Sequence, residues 1–102
     1  SRLIVEAETS IQAEEAARLG VDGVLLDEFS PAGLKELVPR LRELALLAKN
    51  VGGPGRIVIE ASGVDPTNLK EYASTGVDFI SSSASITRST WIDISMRFDK
   101  SP

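Results

Sequence analysis

Apolar positions fall into short runs separated by stretches of helical period. Three runs share one layout: Leu3-Ile4-Val5 before Glu6-Ala7-Glu8, Val24-Leu25-Leu26 before Asp27-Glu28, and Ile57-Val58-Ile59 before Glu60-Ala61-Ser62-Gly63. Short runs rich in β-branched residues, without polar alternation, predict parallel strands covered on both faces. The first strand is expected over 3–8 and the second around 24–26. The third follows Arg56, with Glu60 where it emerges, and a fourth covers 77–81.

Helical patterns lie between them. Thr9 or Ser10 can cap the first helix, and Gln12 stands at capping-box spacing from Thr9. Ile11, Ala16 and Leu19 are expected to face the core, with Glu14, Glu15 and Arg18 outside, and Gly20 to stop the helix. Ser30-Pro31 supplies a capping hydroxyl and a proline at N1 for a second helix running to about residue 49. Leu34, Leu37, Val38, Leu41, Leu44, Ala45 and Ala48 form one apolar stripe on it. Pro39 interrupts that pattern and predicts a kink or a split. A glycine-rich loop spans 50–55. Asp65-Pro66 opens a short third helix to about residue 74, closed by Gly76. The triplet Gly20-Val21-Asp22 recurs as Gly76-Val77-Asp78, each time between a helix end and the next strand. The tail from Trp91 to Phe98 alternates apolar with polar, as a half-exposed strand would; a short closing helix is the alternative.

Successive strand–helix units imply parallel strands with right-handed crossovers. Four such strands cannot close an eight-stranded barrel, which takes about 250 residues. The expected class is therefore α/β, either a small open sheet or about half of a TIM-like (β/α) barrel. In both, ligands bind at the C-terminal ends of the strands.

Composition narrows the chemistry. The 102 residues suit one small domain, 1–102, and the net charge of −4 argues against nucleic acid or an anionic membrane as partner. The chain has no histidine and no cysteine, which excludes a histidine base, a thiolate nucleophile and a disulfide. A reducing, cytoplasmic setting is expected, and no apolar run approaches a membrane span. Because a strand begins almost at once, further structure is expected upstream.

The strand ends carry the candidate chemistry. Glu6 reads as a rim carboxylate for sugar hydroxyls or a divalent cation, or as a solvated strand end. Asp27 can join Glu6 in holding Mg²⁺ through water, or can serve as a turn residue before Ser30, with Glu28 exposed. Ser62-Gly63, ahead of the Asp65-Pro66 helix start, can bind phosphate, although Asp65 would repel an anion. The serine-rich loop 81–85 is a second candidate or an ordinary polar turn, and Arg88 follows it. Lys35, Lys49, Lys70 and Lys100 fall on helices or the tail, so no catalytic lysine is expected from this segment.

The order Val5-Glu6-Ala7-Glu8, Leu25-Leu26-Asp27, Glu60-Ala61-Ser62-Gly63, the segment Tyr72 to Ser81 and Asp93-Ile94-Ser95 resembles the C-terminal half of quinolinate phosphoribosyltransferases. The resemblance covers nearly the whole chain. It implies an α/β barrel that follows a separate N-terminal domain. It also implies synthesis of nicotinate mononucleotide, CO₂ and pyrophosphate from quinolinate and phosphoribosyl pyrophosphate with Mg²⁺, in NAD biosynthesis. On this likeness Glu6 and Asp27 serve the ribose and metal side of the donor, Ser62 and Gly63 one phosphate turn, and Ser83-Ala84 a second. The family turn usually carries a further glycine before the position of Val64. The second loop usually has glycine at Ser83 and often histidine at Thr87. The basic residues that grip quinolinate lie upstream in the family, whose members are dimers or larger. An isolated segment is thus expected to be inactive. Two further readings remain: a non-catalytic half-barrel that self-associates through its sheet edges, and a stand-alone sugar-phosphate binding domain.

Overall fold

The computed structural model of the protein describes residues 2–82. Four strands form one parallel sheet in chain order: β1 (Ile4–Ala7), β2 (Gly23–Asp27), β3 (Val58–Val64) and β4 (Phe79–Ser82). Sequential parallel order, with a helical crossover in every connection, is the topology of half a (β/α) barrel. The expected tail strand, and Ser83, Ala84, Thr87 and Arg88, lie outside the described residues.

The helices are α1 (Ser10–Arg18), α2 (Pro31–Leu47) and α3 (Leu69–Ala73), with 3₁₀ turns at Ala48–Val51 and Pro66–Asn68. Both long helices start as their cap residues dictate. Thr9 Oγ1 accepts from Gln12 N–H and Ser30 Oγ from Gly33 N–H. Gln12 returns its amide oxygen to Glu8 N–H, one residue before the position a capping box would use. Pro39 does not split α2, which is assigned as one helix. Its ring lies on the exposed side, while Leu34, Leu37, Val38, Leu41, Leu44 and Ala45 are buried on the other.

Helix α1 corrects the expected core face. Ile11 and Leu19 are 70% and 80% exposed; Ala16 is buried as expected, and Ala13 and Ala17 join it in place of the other two. A stripe of alanines lets α1 lie close against α2 and the sheet. Ile11 in the first turn and Leu19 at the C-cap fall off that stripe.

Among the described residues the sheet is covered on one face only, where two covered faces were expected. Cross-strand register puts Val24 beside Val5 and Ile59, and Leu26 beside Ala7 and Ala61, and these rows meet the helices. Leu26, Leu41 and Ile59 are fully buried there. Each contributes about 1.5–3 kcal/mol by leaving water. The intervening positions point to the open face: Ile4 and Val58 in one row, then Glu6, Leu25, Glu60 and Phe79. Ile4 and Val58 are 62% and 39% exposed. Period-two alternation is thus present, but with apolar residues on both sides.

The recurring Gly-Val-Asp triplet has one structural use in both copies. Asp22 N–H donates to Leu3 C=O and its carboxylate accepts from Leu3 N–H, at 2.9 and 2.7 Å. Asp78 does the same to Ile59, at 2.8 Å for both bonds. Each aspartate therefore holds both polar backbone groups of a residue on, or just ahead of, the preceding strand, fixing where that strand pairs with the next.

Candidate functional site

Strand β3 runs further than its apolar run suggests. Glu60 lies within it, and Ser62-Gly63 belongs to the strand instead of following it. Between Ala61 and Val64, β3 takes three steps while β4 takes two, from Ile80 to Ser82. That extra residue is a β-bulge, and Gly63 absorbs it with φ +74°. Bulges of this kind re-aim side chains and are frequent beside functional sites. A single glycine, without the second one the family turn usually carries, suffices for the left-handed step.

Register places Asp27 directly beside Ser62. The Ser62 hydroxyl donates to Asp27 Oδ1 at 3.1 Å, and both side chains are half-buried on the open face. These two predicted site residues are therefore brought together at the C-terminal rim. Glu6 lies on the same face but two residues lower, in the row of Leu25. One strand across and two residues along gives roughly 8 Å between Cα atoms of Glu6 and Asp27. Carboxylates on two residues so spaced can converge on one Mg²⁺, whose remaining positions would go to water and substrate phosphates. Among the described residues no group of three or more acidic, histidine or cysteine side chains gathers as an all-protein metal cage.

Glu60 departs from its expected place. It shares the row of Glu6 and lines a groove of about 330 Å³ toward the N-terminal side of the sheet, with Arg2, Ile4, Asp22, Arg56, Val58 and Phe79. The short helix start after Gly63 is also committed internally. Asp65 accepts from both the N–H and the hydroxyl of Thr67, and its carbonyl accepts from Asn68 N–H. The backbone bond, then the hydroxyl bond, hold the Asp65 carboxyl below its ordinary value. A charged aspartate thus occupies the place an anion would take. What remains for phosphate on this side is the Ser62-Gly63 bulge itself.

The loop after Asp27 was not singled out as a site in the sequence. Glu28 has φ +58°, uncommon for any residue but glycine. Its N–H donates to Ser62 C=O at 3.1 Å. Phe29 C=O accepts the Tyr72 hydroxyl at 2.6 Å, and Ser30 caps α2. Desolvation, followed by the neighbouring Glu71 charge, raises the Tyr72 phenol above its ordinary value, so it stays a donor. Nothing in a run of Asp-Glu-Phe-Ser signals a left-handed glutamate; asparagine or glycine there would have.

A parallel barrel-type sheet with an acid and a hydroxyl paired at its C-terminal rim belongs to the (β/α)-barrel class of α/β proteins, whose ligands bind at that end. Comparison with known proteins narrows this to a family. Residues 1–97 match the model of the quinolinate phosphoribosyl transferase C-terminal domain, and the chain belongs to that family. It is 42% identical over 98 residues to a probable carboxylating nicotinate-nucleotide pyrophosphorylase of Synechocystis sp., covering 93% of this chain and 30% of the relative. A protein of the same description from Archaeoglobus fulgidus is 36% identical, over 94% of this chain and 35% of its own length. A crystal structure of a NadC deletion mutant superposes with a TM-score of 0.61 at 30% identity, covering 80% of this chain and 25% of that one. The Ehrlichia chaffeensis nicotinate-nucleotide pyrophosphorylase superposes at 0.57, also 30% identical, over 78% of this chain and 25% of that one. The chain spans about a third of the curated relatives it matches. Among the described residues no helix is long and apolar enough to cross a membrane.

Proposed function

We propose that this chain supplies the phosphoribosyl-donor side of a quinolinate phosphoribosyltransferase, the carboxylating activity named for its relatives. The observation that carries the reading is the Asp27–Ser62 pair at the rim of the open face. Asp27 and Glu6 hold the ribose and metal side of phosphoribosyl pyrophosphate, and Ser62 and Gly63 take phosphate. By the family resemblance, Ser83-Ala84, outside the described residues, would take the second phosphate. Asp27 and Glu6 would hold Mg²⁺, which would neutralise charge on the pyrophosphate displaced from the anomeric carbon. The residues of this chain orient the donor and fix charge around it, and catalysis of this kind rests on positioning and electrostatics. The grip on quinolinate is not among them. A cytoplasmic setting and a homo-oligomer belong to the same reading.

The test is calorimetric titration of the chain with phosphoribosyl pyrophosphate and Mg²⁺. Binding is expected, at least tenfold weaker in Asp27→Asn, with no turnover of quinolinate by the chain alone. Absence of binding, or binding indifferent to the substitution, refutes the assignment. The open face, with Ile4 and Val58 exposed, favours self-association as a second reading. Sedimentation of a clean monomer would dismiss it.

A further inference from the structure

We propose that Glu28 is a positioning residue of the donor site, acting through its left-handed backbone and not through its carboxylate. The inference rests on the reading of Asp27, Ser62 and Gly63 just given and extends it to a residue that touches none of the proposed ligands.

Glu28 has φ +58° in a position where an L side chain is strained. Such strain persists only where surroundings over-determine it, and here three successive residues are tied down. Glu28 N–H is bound to Ser62 C=O, Phe29 C=O to the Tyr72 hydroxyl, and Ser30 to the first turn of α2. The left-handed step turns the chain away immediately after Asp27, so the Asp27 carboxylate stays on the open face beside Ser62. The second left-handed residue, Gly63, lies against the first. A Cβ built on Gly63 would stand 3.1 Å from Glu28 Cγ, 3.4 Å from Asp27 Oδ1 and 3.6 Å from Glu28 N. The two left-handed residues interlock where the end of β2 meets β3. The acid on one strand and the bulged phosphate turn on the other are therefore one mechanical unit, bonded through backbone at Glu28–Ser62 and through side chains at Ser62–Asp27.

This makes a distinctive demand on position 28. Any residue that tolerates a positive φ should serve, whatever its charge, and any that does not should fail. Glycine and asparagine tolerate it; a β-branched residue does not. Glu28→Gly, Glu28→Asn and Glu28→Val are compared by calorimetric titration with Mg²⁺ and phosphoribosyl pyrophosphate, by amide hydrogen exchange at position 28, and by circular dichroism. The glycine and asparagine variants are expected to bind within about twofold of the parent and to keep amide protection. The valine variant, folded by circular dichroism, is expected to bind at least tenfold more weakly and to lose that protection. Equal loss in all three variants overturns the proposal, because it makes the carboxylate the active feature. Equal binding in all three, valine included, overturns it as well. If the parent chain binds nothing, the donor-site reading fails separately, and the exchange data still decide. Protection lost only in valine, with shifts at the Asp27 and Ser62 resonances, upholds the positioning role; unchanged spectra in valine refute it.

Discussion

Replacing Asp78 by alanine should destabilise the fold more than replacing Asp22, although the two stand in the same triplet and make the same pair of bonds. In both variants the backbone N–H at the mutated position still reaches the carbonyl of the earlier strand. What is lost is the carboxylate acceptor. For Asp78 the orphaned donor is the N–H of Ile59, a residue with no solvent exposure in the middle of the sheet. A buried donor stripped of a charged acceptor costs about 1.5–3 kcal/mol. For Asp22 the donor belongs to Leu3, 58% exposed, where water can replace the carboxylate. That loss should stay near 0.5–1 kcal/mol. The Arg42 contact to Asp78 at 3.4 Å is exposed and adds little. In a domain of this size, about 2 kcal/mol lowers the thermal midpoint by roughly 10 °C. The assay is urea denaturation followed by circular dichroism, compared at constant slope so that the midpoint reports stability. Asp78→Asn, which keeps an acceptor, should recover part of the loss. If Asp22→Ala costs as much as Asp78→Ala, burial of the donor is not what sets the energy, and the argument is wrong.

Two further outcomes are expected. Gly20→Ala should destabilise by about 2 kcal/mol or more in the same assay, because φ is +81° there and the new Cβ would stand 2.9 Å from the Gly53 Cα, which is backbone and cannot rotate away. Tyr72→Phe should cost about 1 kcal/mol at neutral pH through the lost bond to Phe29. Burial, then Glu71, raise the Tyr72 phenol above 10.0, so the folded state keeps the proton that the unfolded chain gives up first. Stabilisation is complete below that value and falls as pH rises through and above it. Urea midpoints taken from neutral to alkaline pH should therefore show a smaller decline in Tyr72→Phe than in the parent; equal declines would remove Tyr72 from the account.

The sequence by itself determined the strand and helix order, the cap residues Thr9 and Ser30, the buried stripe of α2 and the repeat that carries Asp22 and Asp78. These are local matters: hydroxyl beside a helix start, period 3.6, an aspartate within reach of the preceding strand. It also placed Asp27 at a strand end, since a carboxylate resists burial beside an apolar run. Tertiary structure alone decided the rest. Apolar runs in β1 and β3 do not reveal that, among the described residues, only one sheet face meets helices, because Ile4 and Val58 are as hydrophobic as Val24 and Ile59. Ile11 and Leu19 were better core candidates than Ala13 by hydrophobicity, but the close approach of α1 to α2 favours the smallest side chain. The length of β3, the bulge at Gly63 and the left-handed Glu28 come from pairing with a neighbour on each side. A residue's own preferences cannot encode such pairing, because the partner that fixes its geometry lies some thirty-five positions away, as Ser62 does from Asp27.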